Sequence, residues 1–220
     1  MTQLFRRFGR FAVLLVAPLV LAACGVNTIP TKEERAKAQW AEVQNQYQRR
    51  ADLIPNLVAT VKGYAAQESS VLIGVTQARA AALQVRSDPG VTQDPAAFQR
   101  YAAAQNNLSL ALAPLRVLQE NYPDLKSNEN FMALQSQLEG TENRIAIARR
   151  DYNEAVRDYN TTLRTFPQIV WAKTVHSGSK PMELFQATAT AQSVPTVDFA
   201  PAAPAAAPPP GAAPGSPPPK

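Results

Sequence analysis

The chain has 220 residues, with 22 lysines and arginines against 17 aspartates and glutamates, one histidine and one cysteine. That length allows one domain plus appendages. A single histidine excludes a histidine-ligated metal cluster, and a single cysteine excludes an internal disulfide.

Arg6, Arg7 and Arg10 open the chain, and the apolar run "FAVLLVAPLVLAA" follows them. This run is short of the roughly 20 residues that span a bilayer, so the pattern predicts an export signal over residues 1–23. Removing that segment takes away three arginines and no acids, and the formal charge falls from +5 to +2 (19 basic against 17 acidic residues). A nucleic-acid partner then has little electrostatic support. "LAAC", Leu21 to Cys24, resembles the lipobox of bacterial lipoproteins. The resemblance implies cleavage before Cys24, a diacylglyceryl thioether on its sulfur and an acyl chain on its new amine. Several chains would anchor stably, since each buried methylene contributes ~0.8 kcal/mol. Residues 24–30 are expected to form a lipidated tether. Gly25 follows the cysteine where aspartate would favour inner-membrane retention, so the expected location is the outer membrane facing the periplasm, with the inner membrane as the alternative.

The first helical stretch carries Ala36, Trp40, Val43, Tyr47, Arg50, Ile54, Leu57, Val61, Tyr64, Glu68, Val71, Val75 and Ala78 at steps of three and four. This spacing predicts one continuous amphipathic helix. Arg50 and Glu68 fall on its apolar seam, while Asp52, Pro55 and Asn56 fall on the outer face. Proline at 55 removes the bond to the Ala51 carbonyl, which predicts a kink in a helix that continues. Arg50 and Glu68, ~27 Å apart along the axis, must find partners on other helices or reach water, and the sequence does not name those partners. A register-fixing role is the expectation for them, with a buried charge site as the alternative.

A turn is expected at "SDPG", 87 to 90, and Asp94 before Pro95 reads as the cap of a second helix. Its seam is Phe98, Tyr101, Gln105, Leu108, Leu112, Leu115, Gln119 and Tyr122, and it should end near Asn121 because Pro123 follows. Ser127 is expected to cap a third helix of about 37 residues, with Glu129 in its first turn. That seam runs Phe131, Leu134, Leu138, Thr141, Ile145, Ala148, Tyr152, Ala155, Tyr159, Thr162, Phe166, and "DYNEAVR" is followed by "DYNTTLR". Residues past Pro167 read as a short element closing one end. Val194 to Lys220 holds ten of the nineteen prolines; such a segment lacks donors and bulk to pack, so 186–220 is expected to be a disordered Pro/Ala-rich tail.

The stretch "WAEVQNQYQRRADLIPNLVATVKGYAAQE" (Trp40 to Glu68), together with "NYPDLKSNENFMALQSQLEGTENRIAIARRDYNEAVRDYN" (Asn121 to Asn160), closely resembles the LemA family. Arg50, Asp52, Pro55, Asn56 and Glu68 match its first motif. Tyr122-Pro123, Glu142, Arg144 and Tyr152-Asn153 match its second. Short connections between the helices predict antiparallel neighbours, and so an all-α, elongated antiparallel bundle of three to four long helices over residues 31–185; the resemblance implies a bundle of long helices held at a bacterial membrane. Family members are typically anchored by an N-terminal transmembrane helix, from which a lipobox departs.

No Gly-rich phosphate loop, HExxH or CxxC appears, and the acids are scattered along helix faces. The sequence therefore points to no catalytic residue, no cofactor and no small-molecule substrate. Its expected partners are membrane lipid, through acylated Cys24, and unidentified envelope proteins. The favoured reading is a non-catalytic scaffold or adaptor in the cell envelope. The alternative is an enzyme, or enzyme subunit, that acts on envelope polymers through an unrecognised carboxylate pair. A concave pocket with converging polar groups would distinguish the two.

Overall fold

The computed structural model describes residues 25–85 and 89–186. The expected signal peptide, Cys24, Ser87 and Asp88 of the expected turn, and the tail from 187 onward lie outside the described residues. The described helices belong to a unit that ends at Phe185.

Every described element is helical or irregular, as expected for an all-α bundle. The long helices are α1 (Thr28–Tyr64), α2 (Ser69–Gln84), α3 (Pro95–Asn121) and α5 (Glu129–Thr162); α4 (Pro123–Lys126) and α6 (Gln168–Lys173) are short, and a 3-10 segment spans Pro89–Gln93. Helix α1 begins inside the stretch expected as a tether, because Ile29 is fully buried and fixes the chain there.

The first expected helix is in fact two. It stops at Tyr64, and residues 65–68 turn the chain back so that Leu72, Val75 and Ala82 of α2 join Ile54, Leu57 and Val61 in one apolar cluster. Carried on straight to Gln84, a single helix would be ~85 Å long at 1.5 Å per residue, with its far half uncovered. The apolar phase runs through the break, so spacing could not register it. The reversal also changes direction downstream. Trp40 meets Tyr101, and Arg50 meets Gln105 and Ser109, so α3 runs parallel to α1. Arg50 meets Glu142 and Lys32 meets Asp158, so α5 runs antiparallel to α1.

Caps explain the remaining boundaries. Asp94 accepts from the Ala96 and Ala97 amides at 2.9 and 3.2 Å, with Pro95 in the first turn of α3. The cap of α5 is Asn128, which accepts from the Phe131 amide at 2.9 Å, rather than Ser127. Residues 123–126 make a turn of their own, and the Ser127 hydroxyl closes it on the Asp124 carbonyl. Phe166, expected on the α5 seam, is 82% exposed because the helix ends four residues earlier.

The closing element includes an extended strap along α5, and it accounts for the repeated heptad. The Asn153 side chain donates to the Phe185 carbonyl and accepts from its amide, both at 2.9 Å. Asn160 does the same for Met182 at 2.8 and 2.9 Å. The Tyr152 and Tyr159 hydroxyls donate to the carbonyls of Glu183 and Lys180. Seven helical residues rise ~10.5 Å and three extended residues ~10 Å, so one heptad on α5 matches three residues of strap. Phe185 enters a cage of Trp40, Phe98 and Tyr152, at centroid distances of 6.0, 4.8 and 5.6 Å.

Candidate functional site

Among the described residues Arg50 is the one buried charged side chain, 1% exposed at the middle of α1. An arginine can occupy such a site only if its donors are met. Its Nη1 donates to the Ser109 hydroxyl at 2.7 Å and to Glu142 Oε1 at 2.9 Å. Its Nη2 donates to the Gln105 carbonyl at 3.1 Å and to Gln105 Oε1 at 2.7 Å. The Tyr47 ring lies beneath the guanidinium, 5.1 Å from its carbon, which adds a cation–π contact. Nε has no partner among the described residues. One side chain thus ties α1 to α3 and α5. Burial pushes the Tyr47 phenol above its usual range, more strongly than the cations of Arg149 and Arg50 pull it down.

The other singled-out positions do not join this cluster. Asp52, Pro55 and Asn56 are exposed on the outer face, as their phase implied. Asp52 accepts from Gln48 one turn away at 2.8 Å, and the Asn56 carbonyl accepts from the Thr60 hydroxyl. Glu68 occupies the turn between α1 and α2, where it accepts from the Tyr122 hydroxyl at 3.0 Å. Helix α1 runs on through Pro55, and the carbonyl that proline leaves unbonded has a partner: Arg79 Nε of α2 donates to the Ala51 oxygen at 2.7 Å. The proline thus creates an acceptor on α1 that receives α2.

Sequence reasoning missed Arg79 and Ser109. Ser109 lies four residues after Gln105, on the same helical face, and that spacing was the available signal. Arg79 had none, because its acceptor is a backbone oxygen. A double-mutant cycle tests the pairing. Arg79→Ala is expected to cost about 1.5–3 kcal/mol in denaturant unfolding, the range for a charge-assisted bond. In a Pro55→Ala background, where residue 55 supplies its own amide to Ala51, the loss should nearly vanish. Equal losses in both backgrounds would remove the link.

Beside the Arg50 cluster a cleft of about 310 Å³ opens between α3 and α5. Leu57 floors it, Leu112, Leu115, Phe131 and Leu138 wall it, and Ser109, Arg116, Glu139 and Glu142 bring polar groups to it. Its best-placed carboxylate, Glu142, is already engaged by Arg50. His176 lies elsewhere, its Nε2 2.9 Å from the Val26 carbonyl oxygen. No cluster of histidine, cysteine or acidic side chains suited to a metal ion occurs among the described residues. The arrangement can hold three helices in register and offer an apolar recess.

The model of the LemA family matches residues 39–199. That span contains Arg50, Glu142 and the strap, and it leaves out residues 1–38. The chain is 27% identical to magnetosome proteins MamQ 1 and MamQ 2 of Paramagnetospirillum magneticum over 187 residues, covering 74% of this chain and 69% of theirs. It is 26% identical to magnetosome protein MamQ of Magnetospirillum gryphiswaldense over the same share of each chain.

Proposed function

This chain belongs to the LemA family, and from that premise we propose that it is a lipid-anchored protein of the cell envelope. In this reading it is a non-catalytic scaffold or adaptor that holds envelope proteins on its helix faces. Residues 1–23 serve as the signal peptide, acylated Cys24 supplies the anchor, residues 31–185 form the bundle, and 186–220 form a spacer. The outer membrane, on its periplasmic face, is the proposed site. Among the described residues no helix is long and apolar enough to cross a membrane.

The observation that supports an adaptor is how the polar groups around Arg50 are used. The buried charge and its nearest carboxylate are spent on each other. The neighbouring cleft is lined chiefly by leucine and phenylalanine, and apolar area of that kind makes up the buried core of a protein interface. Ala113 lies exposed on the cleft wall. Ala113→Arg in the full chain is expected to remove a partner that co-purifies with wild type from solubilised envelope, with no change in thermal midpoint. Undiminished recovery of that partner would count against the cleft as its seat.

The anchor has its own test. Cys24→Ala is expected to abolish lipidation and leave either an uncleaved precursor or a mislocalised product, and mass spectrometry of mature wild type should show the thioether. An unmodified thiol there would overturn the lipoprotein part of the proposal.

A further inference from the structure

The end of the bundle where α1 begins is chemically unlike the opposite end. The stretch from Tyr159 to Met182 contains no aspartate or glutamate, but it holds Arg164, Lys173 and Lys180. All three are exposed, and none is in an ion pair among the described residues. Of the acids closest in the fold, Glu33 and Glu34 share Lys37 at 3.0 and 2.8 Å, Asp158 binds Lys32 at 2.7 Å, and Glu183 follows Met182 directly. The same stretch exposes large apolar side chains, with Phe166 at 82%, Val175 at 59% and Val170 at 47%. At the other end, residues 62–68 and 120–129 carry Glu68, Glu120, Asp124 and Glu129 against Lys62 and Lys126.

The chain itself says what this surface faces. Gly25 lies against Trp171 so closely that a methyl group on it would stand 3.5 Å from the indole nitrogen. The Val26 carbonyl oxygen is bound to His176 at 2.9 Å. Residue 24 is bonded to Gly25, and Gly25 and Val26 both lie against the 166–176 segment. Exposed apolar side chains and cations without a carboxylate partner, on one stretch, suit the headgroup boundary of a bilayer that contains anionic lipid.

We propose that this end of the bundle is a membrane-docking surface. Phe166, Val170 and Val175 enter the headgroup boundary, while Arg164, Lys173 and Lys180 meet anionic phosphates. The proposal rests on the envelope anchoring proposed above, and it adds an orientation: the bundle stands on the bilayer with the acidic end, Glu120 to Glu129, directed away.

The test uses the full mature protein reconstituted into vesicles of phosphatidylethanolamine and phosphatidylglycerol, three to one, with brominated acyl chains. Phe166→Trp and Val117→Trp are made separately; both positions are exposed, and Val117 lies toward the acidic end. Tryptophan at 166 is expected to shift to the blue and to be quenched several-fold more than tryptophan at 117, relative to wild type. Equal quenching at the two positions, or none at 166, while the protein floats with the vesicles would overturn docking and leave the anchor standing. Protein that fails to float and also lacks the Cys24 thioether would overturn the anchor and docking with it.

Discussion

Glu142→Ala is expected to cost about 3–5 kcal/mol of stability, because it leaves the Arg50 guanidinium charged and without a counter-ion in the middle of the bundle. For a chain of this size that corresponds to a fall in thermal midpoint of roughly 6–20 °C. The two partners differ in what they leave behind. Arg50 is 1% exposed, but the Glu142 side chain is 36% exposed at the edge of the cleft. Arg50→Met is therefore expected to cost less, about 1–2 kcal/mol. Methionine refills the aliphatic volume, the abandoned carboxylate returns to water, and the two Gln105 oxygens and the Ser109 hydroxyl each lose a donor. The order is the test. If Arg50→Met destabilises as much as Glu142→Ala, stranded charge is not the governing cost. Pairing Arg50→Met with Glu142→Leu should recover most of the single-variant loss, since apolar replacement of a whole buried pair is often neutral.

Phe185→Ala is expected to cost about 3–5 kcal/mol, the range for emptying a buried phenylalanine site. The ring is 7% exposed, packs on Trp40, Phe98 and Tyr152, and lies 4.5 Å from the Arg149 guanidinium. The effect should be more than local. The strap joins α5 to the 3-10 segment before α3, because the Glu183 amide donates to the Thr92 carbonyl at 2.7 Å. Losing Phe185 should expose the amides of Met182 and Phe185 to hydrogen exchange. Asn153→Ala combined with Asn160→Ala should expose the same amides by removing the bonds on the α5 side. Continued protection of both amides in that double variant would show that the aromatic cage alone holds the strap.

The repeated "DYN" shows how a pattern can be legible without its purpose. The heptad from Asp151 to Arg164 is plain in the sequence, and Tyr152 and Tyr159 fall on the seam as their spacing implied. Asn153 and Asn160 follow the seam by one residue, a position that ordinarily meets solvent. Their partners are backbone groups of an extended segment more than 20 residues away. Backbone acceptors look the same at every residue, so no composition marks them. Arg79 escaped notice for the same reason.

Local chemistry by itself determined the helical class, the seam residues of α1 as far as Val61 (Tyr64, expected on it, is 45% exposed at the helix end), those of α3 and α5, the Asp94 cap, the end of α3 before Pro123, and the outward phase of Asp52, Pro55 and Asn56. Each of these follows from residues within one or two turns of one another. It also determined that Arg50, on an apolar seam, would need either partners on other helices or a path to water, because a guanidinium cannot go unbonded. The tertiary structure alone decided which partners, Glu142, Gln105 and Ser109, because that depends on how helices distant in sequence are brought side by side. It also decided that the chain reverses at residues 65–68. A seam of constant phase is compatible with one long helix or with two folded back, and only the need to cover Leu57 and Val61 with Leu72 and Val75 selects between them.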